Sequence, residues 1–282
     1  MGMIVFSDLD GTFLTSKKEL SARNRAALDA LAAEGVDFVP CTGRPLSGIS
    51  PAILAHPAVR FAVSANGATV SELDAGDPAR ARTIRSTPLD RATALAVWDI
   101  ARDYDVTFDI FADDACYLRR DLMARIPEFA RDPYIARSMI ETRTAVDEEP
   151  PATIARVRTL ERVSMYWRDP RDRDEILARL ARIPGIDITR SYPMNIEVMD
   201  AAASRGSALT WLCNHVGIAC ADAIAFGDNI NDIPMIEAAG CGVAVANAEP
   251  EVRAAADVVC ASNDEDGAGA FILDRLRGRS QM

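Results

Sequence analysis

Three short segments of the 282-residue chain combine carboxylates with small and polar residues. Each follows a short apolar stretch: Asp8-Leu9-Asp10-Gly11-Thr12, Cys41-Thr42-Gly43-Arg44, and Gly227-Asp228-Asn229-Ile230-Asn231-Asp232. Asp8 and Asp10 are two residues apart, so in extended backbone their side chains lie on the same side. Carboxylates crowded into one crevice repel each other unless a cation lies among them, and hard oxygen ligands suit Mg²⁺. If the segments meet, Asp8, Asp10 and Asp228 predict a Mg²⁺ site.

The elements around these segments predict that they do meet. Short apolar runs alternate with helical segments at both ends of the chain, a pattern typical of a parallel sheet covered by helices. Ser21, for example, predicts the start of a helix that ends near Gly35. The carboxyl ends of parallel strands share one edge of a sheet, where ligands bind. A turn or helix cap could explain any one acidic cluster, but three in this order favour one shared site.

The middle of the chain has a different pattern. From Thr87 onward, helices and strands form a self-contained α+β segment, and the strand-helix alternation returns after Asn195. The predicted fold class is therefore α/β, with a Rossmann-like, doubly wound parallel sheet and an inserted α+β domain. We predict that residues 1–86 and 191–282 form the core and residues 87–190 the insertion.

Composition limits the kind of partner. Hydrophobic residues make up 49% of the chain, which argues against disorder. The formal net charge of −11 makes a nucleic-acid surface unfavourable, so any anionic partner should be small. No apolar run reaches the roughly 18 residues that span a bilayer, and we expect a cytoplasmic protein without membrane association. The oligomeric state, monomer or dimer, stays open.

The motifs resemble those of the haloacid dehalogenase (HAD) superfamily, specifically its Cof-like, class IIB phosphatases. The matching features are D-x-D-G-T at Asp8 to Thr12, T-G-R at Thr42 to Arg44, and G-D-x-x-N-D at Gly227 to Asp232. The position of the insertion matches as well, because this branch carries its cap domain between the second and third motifs. The resemblance spans almost the whole chain and implies that the cap sets substrate specificity.

The resemblance implies roles for individual residues. Asp8 would be the nucleophile that becomes a phosphoaspartate, and Asp10 the acid/base. Mg²⁺ would be bound by Asp8, the backbone carbonyl of Asp10 and Asp228. Leu9, Thr42 and Gly43 would contact the phosphate, and Thr42 would also be catalytic. Asn231 and Asp232 would support the metal and its ligands. Asn231 would contact the phosphate as well.

Three positions leave alternatives open. Arg205 stands where the family carries a lysine, and it can serve as the catalytic, phosphate-binding cation or be a solvated residue at a helix start. Arg44 can reach the substrate or pair with a carboxylate of the core. Asn66 can line the phosphate site or belong to a turn. Lys17 and Lys18 are the chain's two lysines, and we expect both to be solvated.

The function predicted from these residues is Mg²⁺-dependent hydrolysis of a small phosphorylated metabolite through an aspartyl-phosphate. A phosphomutase shares this chemistry, although such enzymes of the superfamily place a smaller cap after the first motif. A phosphorylatable signalling module is a third possibility, but an acid/base at Asp10 would hasten loss of its phosphate.

Overall fold

The computed structural model describes residues 2–74 and 77–279. The chain divides into two compact units, which we call the larger unit (Met1–Arg85 with Ser204–Met282) and the smaller unit (Ser86–Ala203). Among the described residues, no helix combines the length and apolar character needed to cross a membrane.

The strands and helices are numbered in chain order. The strands are β1 (Ile4–Asp8), β2 (Asp37–Cys41), β3 (Phe61–Ser64), β4 (Thr69–Asp74), β5 (Asp77–Ser86), β6 (Asp109–Ala112), β7 (Ala115–Arg119), β8 (Thr144–Val146), β9 (Leu160–Tyr166), β10 (Ile186–Thr189), β11 (Asn195–Asp200), β12 (Ala223–Gly227), β13 (Cys241–Val245) and β14 (Val258–Cys260). The helices are α1 (Ala22–Ala33), α2 (Pro51–Leu54), α3 (Arg91–Ala101), α4 (Arg120–Met123), α5 (Ile126–Phe129), α6 (Pro133–Thr142), α7 (Pro150–Arg156), α8 (Pro170–Leu180), α9 (Arg205–Val216), α10 (Ile233–Ala238), α11 (Pro250–Ala255) and α12 (Gly267–Arg279).

The larger unit is built on a sheet with the strand order β14-β13-β12-β1-β2-β3-β4-β5. Strands β14 to β3 pair in parallel, and β4 runs antiparallel to β3. This confirms the predicted α/β class with a mainly parallel sheet. The helix predicted from Ser21 is α1, and the Ser21 side chain accepts a hydrogen bond from the Asn24 amide as its N-cap.

Helices cover both faces of this sheet. Every residue of β1 is buried, as expected of a central parallel strand with a packed layer on each side. Val5 packs into a core with Leu28 of α1 and Ile272 of α12. Phe6, which points to the opposite face, packs into a second core with Leu209 of α9. The double layer holds β1 in the middle of the sheet.

The smaller unit has its own sheet, ordered β10-β11-β9-β6-β7-β8, in which all neighbours are antiparallel except β7 and β8. Its apolar core contains Val97 of α3, Ile154 of α7 and Ile176 of α8. The boundary predicted after residue 190 is wrong for this unit. Strand β11 pairs with β9 and β10, so residues 191–203 belong to the smaller unit and the larger one resumes at Ser204.

Candidate active site

The three acidic segments lie at the same edge of the larger unit's sheet. β12, β1 and β2 are neighbours, with Ser7 in register with Phe226 and Asp8 with Cys41. Each of these parallel strands ends at one of the segments, so their polar residues come together at the carboxyl edge. Strand order therefore explains how positions more than two hundred residues apart share one site.

Three carboxylates meet at this edge. Asp8, Asp228 and Asp232 each offer an oxygen, and these atoms all lie within 4.8 Å of one another. Asp8 and Asp232 are buried, with 5% and 0% of their surfaces exposed. Asp232 is committed to protein partners, since its Oδ2 accepts hydrogen bonds from the amides of Asp228 and Asn229 at 3.1 Å. Asp8 and Asp228 are therefore the better placed metal ligands of the three.

Arg205 is the cation of this cluster. It is the first residue of α9, and Ser204 before it caps the helix in a reciprocal capping box with Ser207. Its Nη1 donates to Asp8 Oδ1 at 2.6 Å and to Asp232 Oδ1. Burial would lower the pKa of Arg205, but Asp232 and Asp8 reverse that effect and raise it. Arg205 is thus a buried, charged partner of Asp8 and not a solvated residue.

Asn66 lies directly against Arg205. Its Oδ1 accepts hydrogen bonds from Arg205 Nε at 3.2 Å, from Arg205 Nη2 at 3.1 Å and from Asn231 Nδ2 at 3.1 Å. Only an oxygen can accept from three donors, which fixes the orientation of the amide. Asn66 and Asn231 were both candidate site residues, and both adjoin the acidic cluster. The hydrogen bonds that place them there were not predictable from the sequence.

Asp10 points its carboxylate toward two cations. Arg44 holds it with two bonds, Nε to Oδ2 at 2.7 Å and Nη2 to Oδ1 at 2.6 Å. Lys18 Nζ lies 2.9 Å from Oδ1, so the prediction that Lys18 is solvated is wrong. Burial alone would raise the pKa of Asp10, but the charges of Arg44 and Lys18 outweigh it and lower the pKa. Of the two alternatives for Arg44, the structure shows pairing with a carboxylate.

Asp228 is positioned by the segment that follows β1. Thr12 Oγ1 donates to Asp228 Oδ1 at 2.7 Å. Gly11 has a φ of +92°, and a Cβ there would lie 2.6 Å from Asp228 Oδ2, so glycine allows this close approach. Asn247 Nδ2 donates to the Gly11 carbonyl at 2.8 Å and ties the turn to the C-terminal part of the chain. Thr12 belongs to the D-x-D-G-T motif, whereas Asn247 lies outside the three motifs, and no role was predicted for either residue.

The remaining predicted residues border the same place. Thr42 is 2% exposed, and its Oγ1 accepts a hydrogen bond from the Arg44 amide at 3.2 Å. A Cβ on Gly43 would lie 3.2 Å from Asn66 Oδ1, so Gly43 adjoins the Asn66 amide. Leu9 differs from these two: its side chain packs in the hydrophobic core and its carbonyl accepts from the Leu14 amide at 2.8 Å, so a phosphate contact would have to come from its backbone amide.

The acidic cluster has too little positive charge. Burial, together with repulsion from neighbouring carboxylates, raises the pKa of Asp8 well above its usual range, although Arg205 opposes this. Burial and the charge of Asp232 raise the pKa of Asp228 to about 7. Both shifts indicate that the ionised cluster lacks a counter-charge.

A divalent cation fits these residues. Its charge would offset the repulsion among the carboxylates, and their oxygens are hard ligands of the kind that Mg²⁺ prefers. Asn231 Oδ1 is buried and, among the described residues, accepts no hydrogen bond. A water on a bound cation is a donor of the type that this oxygen lacks. The site can therefore hold a divalent metal.

Comparison with known proteins gives consistent results. Residues 5–272 match the family model of haloacid dehalogenase-like hydrolases. The chain is 28% identical over 287 residues to 5-amino-6-(5-phospho-D-ribitylamino)uracil phosphatase YwtE of Bacillus subtilis, covering 96% of this chain and 97% of that one. It is 26% identical over 283 residues to pyridoxal phosphate phosphatase YbhA of Escherichia coli, covering 97% and 98%.

A solved structure of a haloacid dehalogenase-like hydrolase from B. subtilis superposes with a TM-score of 0.79 at 25% identity, over 96% of this chain and 98% of that one. The agreement of motifs, fold and whole-chain coverage confirms the resemblance read from the sequence.

Proposed function

We propose, on the premise that the chain belongs to the haloacid dehalogenase-like hydrolases, that it is a Mg²⁺-dependent phosphatase acting through an aspartyl-phosphate on Asp8. The observation that carries the proposal is the cluster at the carboxyl edge of the sheet, in which Asp8, Asp232 and Arg205 are buried and Asp228 is partly buried. A guanidinium beside a carboxylate nucleophile, together with a metal site, matches the needs of a phosphoryl transfer, which depends on positioning and on neutralising charge.

Asp8 is suited to be the nucleophile. Arg205 holds its Oδ1, which fixes the carboxylate at the end of β1. In the first step an Asp8 oxygen forms a bond to phosphorus while the bond from phosphorus to the substrate's ester oxygen breaks. In the second step a water oxygen bonds to phosphorus, and the bond from phosphorus to Asp8 breaks. The products are the alcohol and inorganic phosphate.

Asp10 is the general acid of the first step and the general base of the second. It donates a proton to the departing ester oxygen and then takes one from the attacking water. In the structure its oxygens accept bonds from Arg44 and Lys18, which favours the ionised form. We propose that the phosphate competes for these cations and frees Asp10 for the first proton transfer.

Asp8, Asp228 and the backbone carbonyl of Asp10 would hold the metal, and Asp232 would anchor Arg205. Bound Mg²⁺ would align the phosphoryl group and offset its charge beside Asp8. We propose that the Thr42 hydroxyl, the backbone amides of Leu9 and Gly43, and the side-chain amide of Asn231 donate hydrogen bonds to the phosphoryl oxygens.

The substrate is proposed to be a small phosphorylated metabolite. Four carboxylates (Asp8, Asp10, Asp228, Asp232) face three cations (Arg44, Lys18, Arg205), which leaves one excess negative charge in the site. A divalent cation would reverse that sign and favour a phosphate dianion. The names of two relatives, phosphatases of pyridoxal phosphate and of a ribitylamino-uracil phosphate, are consistent with a small phosphomonoester.

The test is hydrolysis of p-nitrophenyl phosphate and of a panel of phosphorylated metabolites, with Mg²⁺ or with EDTA. We expect Asp8→Asn to lower kcat at least about a thousandfold. Asp274→Asn is the matched control, because Asp274 is an exposed carboxylate of α12 that pairs with Arg277. Undiminished hydrolysis by Asp8→Asn would exclude Asp8 as the nucleophile. An isomerised sugar phosphate without phosphate release would instead identify a mutase.

A further inference from the structure

We infer that Asn66 is a positioning residue whose side-chain carbonyl fixes the guanidinium of Arg205 between Asp8 and Asp232. The inference deepens the proposed function and rests on it for the role of Arg205. It also assigns Asn66 a task other than the phosphate contact considered from the sequence.

The hydrogen bonds of Arg205 divide into two sets. Nη1 donates to Asp8 Oδ1 at 2.6 Å and to Asp232. Nε and Nη2, on the neighbouring edge of the same plane, both donate to Asn66 Oδ1, at 3.2 and 3.1 Å. Because the guanidinium is planar and is hydrogen-bonded at two of its edges, it cannot rotate about its long axis. Asn66 thereby determines which way Nη1 points.

The backbone at Asn66 is held in an unfavourable conformation. Ala65 has a φ of 48° and Asn66 a φ of 57°, so two consecutive non-glycine residues occupy the left-handed region. Such conformations persist where the surrounding structure fixes them. Asn66 is also 1% exposed. With the backbone in this conformation, the Asn66 amide oxygen lies within hydrogen-bond distance of Arg205.

The loop carrying Asn66 is fixed against the start of α9. Gly67 has a φ of +96°, and a Cβ there would lie 2.1 Å from the carbonyl oxygen of Ser204, the residue before Arg205. Only glycine permits this approach. The backbone thus sets the distance between the two partners before their side chains meet.

This arrangement is specific to arginine. Nε and Nη2 are atoms that a lysine side chain lacks, since its three donors radiate from one nitrogen. A lysine at position 205 could reach Asp8, but the two bonds to Asn66 would have no counterpart. Asn66 should therefore matter strongly when residue 205 is Arg and weakly when it is Lys.

A double-mutant cycle tests this coupling. Asn66→Gly removes the amide and tolerates the left-handed backbone, so it adds no strain of its own. We expect it to lower kcat on p-nitrophenyl phosphate about tenfold to a hundredfold in the Arg205 protein, with a smaller effect on KM. In the Arg205→Lys protein the same change should lower kcat less than about threefold. Equal losses in both backgrounds would overturn the inference.

A second measurement does not depend on activity. The Nε–H of Arg205, identified as the NMR signal missing from Arg205→Lys, should exchange slowly with solvent in the unmodified protein and rapidly in Asn66→Gly. Asn66→Asp, which keeps an acceptor oxygen at that place, should retain slow exchange. An exchange rate that stays slow in Asn66→Gly, or that becomes rapid in Asn66→Asp, would contradict the inference.

Asp266→Gly is the matched control, because Asp266 has a φ of 59° and lies outside the site. It should leave both kcat and the Arg205 signal unchanged. Full activity in Asp8→Asn would refute the proposed function. The positioning role of Asn66 would then be decided by the exchange measurement alone. Loss of activity in Asp8→Asn with no coupling between positions 66 and 205 would refute the inference alone.

Discussion

Asp10 and Lys18 show how much of the site depends on single side chains. The motif places Asp10 two residues after Asp8, and its role follows from that spacing. The pairing with Lys18 was not predictable, because it needs Lys18 in the left-handed region at a φ of 62°, which turns the chain back toward Asp10. Sequence spacing does not encode such a turn.

Lys18 should tune the acid/base. Removing its positive charge from beside Asp10 should raise the pKa of that carboxyl, because the ionised form loses a favourable partner. In Lys18→Met we expect the acidic limb of the pH profile of kcat to move to higher pH, by less than about one pH unit because the pair is partly exposed. Lys17→Met is the control, since Lys17 is exposed. A profile that moves equally in both variants, or in neither, would exclude this role.

At the scale of elements, the sequence located most of the strands that build the site. β1, β2 and β12 are the buried stretches that precede the three polar segments, and their carboxyl ends could be read from the polar residues that follow. β11 (Asn195–Asp200) was assigned to the core, because a short run with the apolar residues Ile196, Val198 and Met199 looks the same whichever sheet it joins. Its membership of the smaller unit depends on antiparallel partners, β9 and β10, that local patterns do not reveal.

The contact between the loop at Gly67 and the start of α9 can be tested with a pair of glycines. Gly67 and Gly217 both have positive φ, +96° and +73°, so alanine strains the backbone at either position. Only at Gly67 would the new Cβ collide with backbone, whereas nothing lies within 4 Å of it at Gly217. We expect Gly67→Ala to lower the free energy of unfolding by about 2 kcal/mol more than Gly217→Ala, measured in urea. Equal losses would show that the close approach is not rigid.

At the scale of the whole molecule, stability should depend on pH through Glu161 of β9. This residue is 6% exposed, and its Oε2 has no hydrogen-bond partner among the described residues. Burial first, and the charge of Asp114 next, raise the pKa of Glu161 to about 7. The unfolded chain releases this proton near pH 4.5, so between about pH 4.5 and 7 the folded state binds more protons. Stability is therefore lost as the pH rises through this window.

Glu161→Gln should remove that loss. We expect the variant to be about 2 kcal/mol more stable than the unmodified protein at pH 8, with the difference declining toward zero at pH 4.5. Urea unfolding followed at several pH values gives the measurement. Glu72→Gln is a control for the charge alone, because Glu72 is partly exposed and paired with Arg82. A difference between Glu161→Gln and the unmodified protein that does not change with pH would be inconsistent with this account.

Metal binding should also appear in the stability of the whole protein. A ligand that binds only the folded state raises its stability, by about 2.7 kcal/mol at a hundredfold excess over Kd. We expect Mg²⁺ to raise Tm in the unmodified protein and EDTA to reverse the effect. Asp228→Asn should lose the response, yet without metal it should be at least as stable at pH 8, because a buried charge is removed. A Tm response to Mg²⁺ that survives in Asp228→Asn would place the metal elsewhere.

The chemistry at Asp8 is most directly tested by trapping the covalent intermediate. The protein is mixed with p-nitrophenyl phosphate and Mg²⁺, quenched in acid within the first turnover, digested, and analysed by mass spectrometry. We predict a phosphoryl group on the peptide that contains Asp8, present at early times and depleted once the substrate is exhausted. Release of p-nitrophenol in that first turnover with the Asp8 peptide unmodified throughout would contradict the account.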